Sequence, residues 1–138
     1  MKNGLNGSRP PQSERRRTVL VCDDRTNALR ALDLLLTSHG FHVLCANDVE
    51  RSLALLDEWS VDAIVADLKL GDGPDGMVLL DSAAHWHAGV RHRFLLTSDP
   101  IGLPLAEANG ATWIERGQEG WTDRLVALLL GATRDGDG

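Results

Sequence analysis

Hydrophobic residues along this chain alternate between short unbroken runs and longer stripes, and the alternation predicts ten elements. Thr18–Cys22 is apolar after its first residue, as a central parallel strand covered on both faces should be. From Thr26 to Ser38 the spacing changes: Leu29, Leu32 and Leu36 make one helical stripe, and Gly40 is placed to end that helix in the left-handed conformation. Phe41–Cys45 reads as a second strand. Asn47 or Asp48 can cap a second helix, in which Val49, Leu53 and Leu56 share a face and which runs to Trp59. Val61–Ala66 is the third strand, and a third helix from Asp75 to Ala88 keeps Met77, Leu80 and Ala84 in register. Phe94–Thr97 forms the fourth strand, after which the rhythm falters. Pro100, Gly102 and Pro104 fall within six residues, which predicts a fourth helix shortened to Leu105–Ala108. Thr112–Ile114 is a weak fifth strand, and Thr122–Leu130 is a last helix stopped by Gly131.

Five strands alternating with five helical segments predict a single α/β domain, a doubly wound parallel sheet with right-handed crossovers. The 138 residues fill one such domain, over 18–132. Residues 1–17 read as a flexible basic tail. Lys2, Arg9, Arg15, Arg16 and Arg17 against Glu14 give it +4, so the remainder carries −10 of the overall −6. Residues 133–138 read as a flexible C-terminal tail. An acidic body argues against nucleic-acid binding by the domain. No apolar run reaches the roughly 20 residues that span a bilayer, and no secretory h-region opens the chain. The expected compartment is the cytoplasm, with no membrane contact. Cys22 and Cys45 fall on predicted strands and read as reduced core thiols.

The chemistry lies at the strand ends. In open parallel sheets ligands sit beyond the carboxyl ends of the strands where the strand order reverses, which for the order 2-1-3-4-5 lies between strands one and three. Those strands end in Asp23-Asp24 and in Asp67. Three carboxylates in one pocket require a cation or a proton, and a hard divalent ion with oxygen ligands, Mg²⁺ in cells, suits them. Thr97 ends strand four and offers a hydroxyl to the same pocket, and Arg116 follows strand five as its cation. An anionic oxygen held by Mg²⁺, a hydroxyl and a guanidinium beside a free carboxylate points to phosphoryl transfer onto Asp67.

Two other chemistries are weaker. Gly71-Asp72-Gly73-Pro74-Asp75-Gly76 spells GxGxxG between a strand and a helix, with Asp99 at the ribose-binding distance. Against a dinucleotide site, Asp67, Asp72 and Asp75 would repel a pyrophosphate, and Pro74 removes a needed N–H. His85, Trp86, His87 and His92 suggest a metal site but read better as a solvated helix end and loop.

With these residues in place, the sequence resembles the receiver domain of two-component response regulators, over residues 18–131. The likeness is carried by VLVCDD at 19–24, Gly40-Phe41-His42-Val43, Ala46-Asn47-Asp48, Asp62 to Asp67, Asp75-Gly76, Leu95-Leu96-Thr97-Ser98 and Gly110-Ala111. It implies the flavodoxin-like receiver fold and a phospho-accepting Asp67. Asp24 and Asp67 would bind Mg²⁺ with the backbone carbonyl of Lys69, Asp23 would hold the ion through water, and Thr97 would grip a phosphoryl oxygen. Trp113 occupies the place of the aromatic switch residue, and Ser98 is small enough to admit the phosphoryl group. The resemblance also implies that Lys69 and Asp99 flank the phosphorylation pocket, in positions that tune hydrolysis.

The sequence departs from the family pattern in four places. Arg116-Gly117 stands where Lys-Pro is usual, Gly71 stands where Pro is common, the loop after Asp67 carries an added residue, and the fourth helix is Pro-broken. The function implied is that of a phosphoacceptor rather than a conventional enzyme, charged by a histidine kinase or a phosphotransfer protein. Because no effector sequence follows, output is expected through protein contact, a homodimer included, through onward relay, or as a phosphate sink; a receiver excised from a hybrid kinase is a variant of the same reading. The alternative is a pseudo-receiver, an interaction module independent of phosphorylation.

Overall fold

The computed structural model describes residues 16–137, so the expectation of a basic tail over 1–17 falls, for residues 1–15, outside the described residues. The elements are β1 (Thr18–Cys22), α1 (Thr26–Ser38), β2 (His42–Ala46), α2 (Val49–Glu58), β3 (Ala63–Asp67), α3 (Gly76–Trp86), β4 (His92–Thr97), α4 (Gly102–Asn109), β5 (Thr112–Glu115) and α5 (Trp121–Asp137). The strands form one parallel sheet in the order β2-β1-β3-β4-β5. This is the doubly wound topology expected from the alternation, in the flavodoxin-like arrangement that the family resemblance implies.

Period-two alternation sorts the strands between two cores. Leu20, Cys22, Ile64, Ala66 and Leu95 face α2, α3 and α4, meeting Leu55, Leu56, Leu79, Leu80 and Ala106. Val19, Val21, Val65, Phe94, Leu96 and Ile114 face α1 and α5, meeting Leu32, Leu36, Leu125 and Leu129. β1 and β3 are buried along their whole length, which is why both read as continuous apolar runs. Val21 pairs with Cys45 while Cys22 pairs with Ala46, so the two cysteines project from opposite faces of the sheet. Burial pushes both thiols up to about 11; Cys22 is a core residue as expected, whereas Cys45 is only partly buried, because β2 is an edge strand.

Helix ends follow local chemistry. Gly40 at φ +92° closes α1, and the His39, Gly40 and Phe41 N–H groups turn back onto the Leu36 and Thr37 carbonyls. Asp48, one of the two candidate caps, accepts the Arg51 N–H at 2.7 Å.

Two expectations are corrected. The fourth helix is not confined to Leu105–Ala108: it starts at Gly102 and ends at Asn109. Asp99 Oδ1 accepts the Ile101 N–H and its carbonyl accepts that of Gly102, so the turn is built before the helix begins. Pro104 then falls in the first turn, where its missing N–H had no intrahelical partner to lose. The last helix does not stop at Gly131 but runs to Asp137. An interior glycine costs only about 1 kcal/mol, so Gly131 is too little to end a helix anchored by Leu125 and Leu129. Among the described residues, no helix is long and apolar enough to cross a membrane.

Ile64 is fully buried at the centre of the sheet, whereas Leu34 on α1 is 67% exposed. Ile64→Ala is expected to cost about 2–5 kcal/mol in denaturant titration, and Leu34→Ala less than about 0.5 kcal/mol. Comparable losses at both positions would contradict this core.

Candidate functional site

Strand register assembles the site. Cys22 pairs with Ala66, which sets Asp23 beside Asp67 at the carboxyl ends of β1 and β3. Both acids keep the parity of Val21 and Val65, on the α1/α5 side of the sheet. Arg116 keeps the parity of Ile114, whose strand lies two places beyond β3, so its long side chain reaches back along the same side. The Asp23 N–H donates to the Ala46 carbonyl and the Arg116 N–H to the Thr97 carbonyl, which extends the ladders past the strand ends and fixes both backbones.

Asp23, Asp24 and Asp67 each place a carboxylate oxygen within 4.8 Å of the other two. Asp23 is fully buried, Asp67 nearly so, and Asp24 exposed. Arg116 Nη1 donates to Asp67 Oδ1 at 2.6 Å, and its Nη2 lies 2.9 Å from Asp23 Oδ2. The second contact pairs charges but is misaligned for a hydrogen bond, so Asp23 Oδ2 is buried with none. Arg116 also lies over the Trp121 ring, 5.4 Å from its centroid.

A second cation was not anticipated. Arg25 gives its backbone N–H to Asp23 Oδ1 at 2.9 Å, and its Nη2 stands 3.7 Å from Asp67 Oδ1. The signal for it was present in the sequence, a basic residue directly after the acid pair in a strand-to-helix loop. A cleft of about 340 Å³ opens on this group and is lined by Asp24, Arg25, Asp67, Lys69, Thr97, Ser98 and Arg116. Thus Asp23, Asp24, Asp67 and Arg116 are brought together, with Thr97 and Lys69 at the wall.

Thr97 and Trp113 are linked. Thr97 Oγ1 accepts the Asp99 N–H at 3.1 Å, which still leaves the hydroxyl proton to give. Trp113 Nε1 donates to the Thr97 carbonyl at 2.9 Å, so the indole is locked to the same residue. Gly102 makes room for both: a Cβ there would overlap the Trp113 ring and stand 2.7 Å from Thr97 Cγ2. Gly76 is needed likewise, because a Cβ would strike the Asp67 carbonyl.

Among the described residues, the other candidate chemistries find no geometry. The Gly76 N–H donates to the Leu68 carbonyl, and Asp75 Oδ1 already takes the Met77 and Val78 N–H groups, so the GxGxxG loop holds a capped helix end. His85 Nδ1 lies 3.0 Å from the Asp81 carbonyl oxygen and His87 Nε2 3.7 Å from Asp57, both away from the acid cluster.

The residues fit a divalent ion by the chemistry of their donors. Three carboxylates converge, and one buried oxygen lacks a hydrogen bond. Burial raises the pKa of Asp67 above its ordinary value of 3.8, and Asp23 adds to the rise, while Arg116 and Arg25 oppose it.

No protein-family model matches the chain. It is 38% identical over 61 residues to the Transcriptional regulatory protein GlrR of Escherichia coli (strain K12), a match over 44% of this chain and 14% of that protein. The chain thus spans a small part of the curated relatives it matches. A CheY-like response regulator receiver domain protein from Methanospirillum hungatei JF-1 superposes with a TM-score of 0.76 at 21% identity, covering 90% of this chain and all of that one. The signal receiver domain of an HD domain-containing protein from Pseudomonas fluorescens Pf-5 superposes with a TM-score of 0.74 at 25% identity, covering 88% and 89%. These structural neighbours are response regulator receiver domains, and the fold of this chain is theirs.

Because the folded protein holds the Asp67 proton more tightly than the unfolded chain, stability contributed by this group falls as pH rises from 3.8 through its raised value. In EDTA, Asp67→Asn is therefore expected to be more stable than the parent at neutral pH, with the gain shrinking on acidification toward that value. Denaturant titrations across pH check this; a variant less stable than the parent at neutral pH would mean that the guanidiniums outweigh the burial.

Proposed function

We propose that this receiver-fold domain accepts a phosphoryl group on Asp67 from a phosphohistidine on a histidine kinase or phosphotransfer protein, and signals by protein contact. The observation that carries the reading is the meeting of three acids from two strand ends with a guanidinium from a third, at one cleft. In the transfer a carboxylate oxygen of Asp67 forms a bond to phosphorus as the phosphorus–nitrogen bond of the donor breaks. The product is an acyl phosphate, and the leaving imidazole nitrogen takes up a proton from solvent.

Each residue has a part in that step. Asp67, at the tip of β3, is the nucleophile, held still by Arg116 at 2.6 Å. Asp23, Asp24 and Asp67, with the Lys69 backbone carbonyl, would hold Mg²⁺. That ion, when bound, neutralises the charge spread over the phosphoryl oxygens. Thr97, with its proton still to give, is placed to donate to a phosphoryl oxygen, and Ser98 beside it leaves space for the group. Trp113 reports any shift of Thr97, because the indole is bonded to that residue's carbonyl. The conformational output would then pass to β5 and α4, which meet at Gly102. The cytoplasm is the compartment that holds such donors.

A second reading, an interaction module independent of phosphorylation, is favoured by one observation: Arg116 already bridges two of the three acids. Incubation with acetyl phosphate and Mg²⁺ followed by intact-mass measurement separates the two. A phosphoryl adduct that disappears in Asp67→Asn is expected. Absence of any adduct on the parent chain would favour the interaction module.

A further inference from the structure

Arg116 does more than stand near the phosphoacceptor. Its Nη1 takes Asp67 Oδ1 and its Nη2 faces Asp23 Oδ2, so one guanidinium spans two of the three carboxylates that converge here. A planar fork with donors on two edges can bridge two acids, whereas an ammonium offers one compact charge. The side chain is itself largely buried and lies over Trp121, so the bridge is held from behind. Arg25 has 58% of its side chain exposed, against 15% for Arg116, which can move only within the cleft that it lines. The contact with Asp23 Oδ2 matches charge without a hydrogen bond, which leaves that buried oxygen with unused ligand capacity.

We propose that Arg116 is a tethered cation occupying the metal-binding edge of the acid cluster in the resting protein, and that a divalent ion binds only as its guanidinium leaves Asp23. The inference rests on the phosphoacceptor reading for the identity of the ion, not for the bridge itself. A divalent ion within reach of Asp23 and Asp67 would lie beside a positive guanidinium, and the two repel. Apparent metal affinity is then reduced by the fraction of molecules in which the bridge is closed. Released from Asp23, Arg116 keeps its hold on the Asp67 side of the cleft, where phosphoryl oxygens would arrive. The replacement of a lysine-type point charge by this fork thus sets a threshold of divalent-ion concentration.

The test is calorimetric titration of the full 138-residue chain with Mn²⁺. Arg116→Ala is expected to bind at least about tenfold tighter than the parent, the usual size of a direct coupling. Equal or weaker binding would overturn the proposal. Should Arg116→Ala fail to fold, the parent chain decides: at saturating Mg²⁺ the Arg116 Nε–H and Trp121 indole N–H resonances are expected to shift together. If neither moves, the bridge stays closed and the proposal fails. Absence of the Asp67 adduct on the parent chain, with the affinity gain of Arg116→Ala intact, would instead sink the phosphoacceptor reading alone.

Discussion

Two carboxylates buried side by side are the constraint to which the rest of this structure answers. Asp23 and Asp67 end adjacent strands in a register that offers them no distance from one another. Asp67 shows the cost: burial first, and then the neighbouring Asp23 charge, raises its proton affinity. Arg116 relieves the conflict from β5 and Arg25 from the β1–α1 loop. The sheet order makes that relief geometrically available, since β5 ends on the same side and at the same level as β1 and β3.

The surrounding glycines follow from the same demand. Gly76 lets α3 begin against the Asp67 carbonyl, and Gly102 lets α4 begin against Trp113 and Thr97. Both helices therefore start within contact of the cleft, and any movement at Thr97 meets α4 at once. The hydrophobic faces on either side of the sheet are ordinary close packing and supply the rigidity that this electrostatic arrangement needs. Polar groups at the strand tips are costly to bury, and the domain concentrates that cost at one end of the sheet.

Much of this could be read from the residues. The two fully buried strands are legible as apolar runs, and the carboxylate at each tip marks the cleft. Boundaries at β3 were harder: Val61 and Asp62 precede the strand because the Asp62 carboxylate takes the Thr18 N–H and so belongs to the sheet's opposite end. The fourth helix was misjudged because a proline's effect depends on its place in the first turn, which composition does not reveal. The run past Gly131 was missed because the anchoring of α5 by Leu125 and Leu129 is tertiary. The reach of Arg25 to Asp67 and the bridge from Arg116 to Asp23 are not legible in the residues, since each depends on where a long side chain settles among partners far apart in sequence.

The pairing of Asp23 with Arg116 can be measured without any ion or phosphoryl donor. A double-mutant cycle with Asp23→Asn and Arg116→Gln, followed by denaturant titration in EDTA at neutral pH, isolates it from the separate cost of burying each group. A direct Asp23–Arg116 pairing gives a coupling above about 0.5 kcal/mol, as for side chains in contact. Additive single effects would contradict it, because the two groups would then not be partners.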